Sequence, residues 1–252
     1  MRGLRRALAA EVLKLKRTLA LWLSIAIPAS IVGLQFLVMV QRVEGYISRR
    51  DDLWMRFGQE MFLFWSVMAL PLSIALVTAL LGGLEHRHGG WKHLAALPQP
   101  RWTVYAAKQV AAMALVGLSI LLLVAFTVLA GHLVGVLKPG AAFPSAIPWE
   151  HLCRFAGGVY VTSWLLISIH VWLGMRWDNL VVAMGVAIGA TIIAMVMGAS
   201  DLAHVYPWAM PAIVSETFIT GRIEWGTVIL GGLGGIGMAI WGCRDVIRRD
   251  VP

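Results

Sequence analysis

The sequence predicts an all-α membrane protein, with six transmembrane helices preceded by an interfacial amphipathic helix. Six apolar stretches, at about 19–40, 61–84, 110–134, 153–175, 180–197 and 227–241, approach the roughly 20 residues a helix needs to cross a hydrocarbon core about 30 Å thick. Hydrophobic residues make up 59% of the 252 and charged ones 13%, against roughly half and a quarter in a soluble domain. Lys and Arg are unevenly placed, fourteen on one side of the spans and seven on the other. Four of the seven, Arg42, Arg49, Arg50 and Arg56, are matched by Glu44, Asp51, Asp52 and Glu60. The positive-inside rule then puts both termini in the cytoplasm. No segment between spans reaches the size of a soluble domain, so residues 1–252 are expected to form a single membrane domain.

The elements follow in chain order. Leu4, Leu8, Val12, Leu15 and Leu19 recur every three or four residues, with Arg5, Arg6, Lys14, Lys16 and Arg17 largely on other faces. Residues 1–18 are thus expected to lie as an amphipathic helix at the membrane surface. The first apolar run lacks a small-residue cleavage site and reads as a retained span. Between the first two spans, Val43, Tyr46, Ile47, Trp54, Phe57 and Met61 keep helical spacing, so this stretch either lies along the outer interface or extends a span. The segment 85–108 is cytoplasmic by charge. Gly89 and Gly90 break the preceding helix, and Trp91 to Leu97 can form about two turns before Pro98 and Pro100 end them. Such a helix presents Trp91, Leu94 and Leu97, with Lys92 and His93 beside them, as a knob for a cytoplasmic partner. The two later outer loops carry Pro139, Pro144 and Pro148, then Pro207 and Pro211. Trp149, Tyr206 and Trp208 are expected there at headgroup depth.

Several chemistries are excluded or disfavoured. The net charge of +8 sits beside apolar spans and forms no separate basic module, which points to anionic lipid and orientation and away from nucleic acid. Gly232, Gly234 and Gly237 have dinucleotide-site spacing, but no strand precedes them. Gly185 with Gly189, and Gly231 with Gly235, instead fit the small-xxx-small pattern of closely packed membrane helices. His86, His88 and His93 lack the companions of a recognised metal site. No paired carboxylates or nucleophile triad suggests an enzyme. No phosphate-binding loop occurs, so any energy source is a partner or an ion gradient. Ionisable or polar groups in or near spans are candidates for a substrate path, and Gln35, Glu60 and His170 are those selected. Cys153 and Cys243 fall at opposite ends of the membrane, too far apart for a disulfide.

Glu11-Val-Leu-Lys14-Leu-Lys16-Arg17 before the first span, six spans with both ends inside, and Glu85 through Trp91-Lys92, Leu97-Pro98, Arg101 and Lys108 between spans two and three resemble type-2 ABC exporter permeases. Within that family the sequence is most similar to permeases of the lantibiotic-immunity and bacitracin-resistance type. The resemblance implies a bacterial plasma-membrane subunit and a homo- or heterodimer of permeases. It also implies a separate ABC ATPase that holds the ATP and Mg²⁺, with no cofactor in this chain. It makes Trp91 to Leu97 the coupling helix, with Glu85, Lys92, Leu94, Arg101 and Lys108 in or beside it. The His-rich start, Glu85-His-Arg-His, departs from the family pattern. The cargo implied is an antimicrobial peptide, a drug or a lipid. The alternatives are a permease of the same family for copper-site maturation or sodium export, or a membrane sensor or scaffold without transport.

Overall fold

A computed structural model describes residues 2–15, 18–48, 52–86, 100–138, 146–177, 179–198, 200–216 and 220–248. Among them are nine α-helices: α1 (Arg2–Leu15), α2 (Leu19–Ser48), α3 (Leu53–Phe64), α4 (Leu70–His86), α5 (Arg101–Leu137), α6 (Trp149–Arg176), α7 (Leu180–Met197), α8 (Met210–Ser215) and α9 (Trp225–Arg248). A π-helical turn, Trp65–Ala69, joins α3 to α4 into one span. Six helices are long and apolar enough to cross a membrane, so the protein is an all-α membrane protein.

The helices are longer than the apolar stretches alone suggest. The segment after span one extends α2 to Ser48, and α3 begins at Leu53. Asp52 caps α3, its carboxylate accepting from the amides of Trp54 at 2.9 Å and Met55 at 3.3 Å, which satisfies donors that a helix start leaves open. Arg101 to Lys108, assigned to a loop from sequence, form the first two turns of α5. By contrast α7, at 18 residues, spans only about 27 Å at 1.5 Å per residue.

Two prolines leave visible repairs. Pro28 inside α2 cannot donate to the carbonyl of Ser24, four residues earlier. Ser119 Oγ on α5 supplies that bond at 2.8 Å, and so fastens α2 to α5. Pro71 likewise has no N–H, and the π turn immediately before it, with Leu70 N–H donating to Trp65 O, takes up the mismatch.

The core holds Trp65, Leu70, Ile74, Leu123, Leu166 and Ile167, all buried. Phe62 stacks on Phe155 with centroids 3.9 Å apart. Glycines set the closest approaches. An added Cβ at Gly82 of α4 would strike the carbonyl oxygen of Gly174 on α6, and one at Gly174 would stand 2.8 Å from Thr78 O. Along α9, an added Cβ at Gly231 would lie 2.6 Å from Thr162 Cα, and one at Gly235 would lie 2.6 Å from Trp164 C. At Gly185 and Gly189 an added Cβ would meet nothing within 4 Å. The first pair packs α9 onto α6, whereas the second opens outward from α7.

The stretch between α7 and α9 is not a surface loop. Ala203, Trp208, Ala209, Met210 and Val214 are buried. Tyr206 Oη donates to Ala190 O inside α7 at 3.1 Å, and an added Cβ at Gly158 of α6 would stand 2.7 Å from Val214. The buried part of this stretch, Trp208 to Ser215 above all, therefore packs against the spans, with Trp208 against His170, ring centroids 5.6 Å apart. Irregular backbone persists among spans only where protein encloses it. Of the aromatics expected at headgroup depth, Trp149 is exposed while Trp208 is buried.

Candidate functional site

The most constrained polar group lies beside the segment that sequence selected. α1 turns Ala7 and Glu11 toward α5, both buried, and leaves Val12 and Leu13 exposed. Lys108, two turns into α5, is only 1% exposed. Its Nζ lies 3.5 Å from Glu11 Oε2 and donates to the carbonyl of Leu81 on α4 at 2.6 Å. Lys14 Nζ donates to the other Glu11 oxygen at 2.9 Å. One ammonium thus joins the amphipathic helix, the closing turns of α4 and the opening turns of α5. A buried cation needs such partners, because desolvation costs several kcal/mol per ion. The Leu81 carbonyl belongs to the last turns of α4 and gains a charge-assisted donor.

The sequence candidates divide accordingly. Trp91, Lys92, Leu94 and Leu97 lie outside the described residues, as do His88 and His93. Glu85 is in the last turn of α4, and Arg101 opens α5 with its side chain exposed. Lys108 is buried at the junction and does not project toward a partner surface. Thr103 Oγ1 donates to Pro100 O at 2.6 Å, securing the start of α5.

Of the substrate-path candidates, Gln35 is half-buried on α2. Glu60 on α3 pairs with Arg56 at 3.2 Å, one helical turn away. His170 on α6 is fully buried against Trp208, and neither of its ring nitrogens has a hydrogen-bond partner among the described residues. The three stand on separate elements. Gly231 and Gly235 serve the α6–α9 contact, where Ser168 Oγ donates to Gly235 O at 2.9 Å and accepts from Gln109 Nε2 at 2.8 Å. Trp172 Nε1 donates to Asp245 at 2.8 Å lower on the same seam.

Sequence reading placed Glu11 only in the segment that carries the resemblance and Trp208 only at headgroup depth, and did not single out Ser119. The available signal for Glu11 was a lone acid in an otherwise basic helix, and for Ser119 a hydroxyl in a span opposite a proline-bearing one. Trp208 gave no signal beyond its type.

Six spans, a surface helix locked to the flanks of one inter-span segment, and a partly re-entrant connection define a multi-pass membrane protein of the permease class. A sequence model described as "ABC-2 family transporter protein" matches residues 7–197, and the chain belongs to that family. It is accordingly the membrane component of an ABC transporter, a subunit distinct from the ATPase that such a permease requires as partner. No curated protein matches the chain.

Proposed function

We propose that this subunit forms the path of an ATP-driven exporter, working as a pair of permease chains with two separate ATPase chains that hold ATP and Mg²⁺. Its cargo is an antimicrobial peptide, a drug or a lipid, in keeping with the likeness to lantibiotic-immunity and bacitracin-resistance permeases. Both termini and residues 87–99 face the cytoplasm of a bacterial plasma membrane. In this reading Trp91 to Leu97 docks in a groove of the ATPase, and movement of that docked segment drives the change of access. Coupling requires that the docked partner bind two states of the permease unequally.

The observation that supports this most is the Lys108 junction. The segment 87–99 leaves α4 and rejoins α5 at the two helices that Lys108 holds together with Glu11 of α1. A push on the segment therefore reaches three elements together, and α1 carries it to the membrane surface.

The test is co-purification with, and stimulation of, the ATPase encoded with this chain. Trp91→Ala removes a large anchor, where such central aromatics are worth roughly 2 kcal/mol or more, and Leu94→Asp buries an unpaired charge. Both variants are expected to insert normally while recruitment and stimulation fall at least tenfold. Normal recruitment by the folded double variant would overturn the coupling role.

A further inference from the structure

Where the re-entrant stretch meets span two, the packing leaves a recess. A cavity of about 290 Å³ lies among Leu63, Val67, Met195, Trp208 and Ile213. A smaller one of about 130 Å³ shares Leu63 and Glu216 with it and extends to Gln59 and Thr220. Together they reach the size range of small-molecule sites, roughly 300–1,000 Å³. Its wall includes the π turn, a feature that recurs at functional sites.

The lining has a polarity. Its body is apolar. Glu216 is the one charged residue among the described lining residues, and its carboxylate is exposed with no ion-pair partner among the described residues. Gln59 stands in the same outer recess. Trp208, which lines the inner cavity, is 9% exposed, and its Nε1 has no hydrogen-bond partner among the described residues. Thr191, buried one turn before Ala194 on the cavity-facing side of α7, also has an unpartnered hydroxyl. Buried polar groups in native proteins are nearly always satisfied, by protein, water or a ligand.

We propose that this recess binds an amphiphilic organic cation. Its amine or quaternary ammonium head sits at Glu216, and its single hydrocarbon chain or comparable apolar body lies between the π turn and α7. An anionic amphiphile would meet the Glu216 carboxylate with no cation among the described lining residues to offset it. The site stands on its own geometry, and only its use for cargo rests on the exporter reading.

The test uses the full chain in nanodiscs of zwitterionic phosphatidylcholine without ATPase. Tryptophan fluorescence is titrated with dodecylammonium brominated along its chain, a contact quencher, and with the equally brominated dodecyl sulfate. The expected result is saturable quenching by the cation that disappears in Trp208→Phe. It should be competed by unbrominated dodecyltrimethylammonium, weaken about fivefold in Glu216→Gln, the upper range for a single exposed ion pair, and vanish in Ala212→Phe, which fills the cavity. Glu216 is exposed, so the Gln variant reads charge without disturbing the packing. Quenching that never saturates, that persists in Trp208→Phe, or that is equal for cation and anion would overturn the site. Binding that behaves as expected while export of the same cation fails would overturn the recess's use for cargo and leave the site standing.

Discussion

Lys108 shows why a residue's type and its neighbours in sequence can mislead. In a basic segment it reads as a charge setting orientation and, by the resemblance, as a flank of the coupling helix, and only the fold brings Glu11 of α1 and the Leu81 carbonyl to it. Removing one member of a buried pair costs about 3–5 kcal/mol, whereas replacing both by apolar groups is often neutral. Lys108→Met is therefore expected to lower the thermal midpoint of the detergent-purified protein, with Glu11→Leu/Lys108→Met recovering most of the loss. The fall should lie near the low end of that range, because Lys14 still faces Glu11. A neutral Lys108→Met would show that the pair contributes nothing. Ser119 offers a second cycle. Ser119→Ala leaves the Ser24 carbonyl without the donor that Pro28 cannot provide, a loss of about 1–3 kcal/mol. In a Pro28→Ala background the helix restores its own bond, so the same Ser119→Ala change is expected to cost little. Equal costs in both backgrounds would show that Ser119 does not repair the proline gap.

At the scale of elements, hydropathy made the six spans legible because a hydrocarbon solvent demands long apolar helices. It could not give their true lengths, since α2, α3 and α5 run on into polar sequence once Asp52 caps one helix and α1 packs beside another. Glycine spacing identified two small-residue pairs, but not which of them has a partner. Of those two pairs, Gly231 and Gly235 face another helix among the described residues, and Gly185 and Gly189 do not. Gly231→Leu is expected to separate α9 from α6 and sharply reduce the yield of folded monomer in detergent, while Gly185→Leu leaves that yield unchanged. If Gly231→Leu folds as well as the parent protein, the α6–α9 seam tolerates far more space than its backbone contacts imply. The stretch 200–216 escaped sequence reading for a related reason. Proline and tryptophan punctuate a surface loop and a packed segment alike, and only the contacts of Trp208 with His170 and of Tyr206 with Ala190 distinguish them.

For the whole molecule, the alternation of spans places α1, the end of α4, the start of α5 and the end of α9 on one face, with the end of α2 and the starts of α3 and α6 on the other. The proposal that the first face is cytoplasmic rests on its surplus of Lys and Arg. With Cys153 and Cys243 replaced by Ala, single cysteines at positions 5, 96 and 247 are expected to react with an impermeant maleimide only from the cytoplasm, and those at 50, 142 and 205 only from outside. Labelling of position 96 from outside would reverse the orientation and remove the docking segment from any ATPase. A membrane protein of six spans could thus be read from composition and hydropathy, and its family from a resemblance in two short segments, whereas the junction at Lys108 and the recess at Glu216 depend on contacts between residues far apart in the chain.

The α6–α9 seam also sets an order of events at the ribosome. Trp172 and its partner Asp245 are 73 residues apart in the chain. At synthesis rates of about 5–20 residues per second, α6 spends roughly 4–15 s in the bilayer before α9 can reach it. During that interval the Ser168 hydroxyl and the indole N–H of Trp172 face lipid or a chaperoning insertase, and the groove opposite Gly231 and Gly235 stands empty. A chain arrested before residue 225 is therefore expected to be degraded faster in the membrane than the full chain, which a pulse-chase measurement checks.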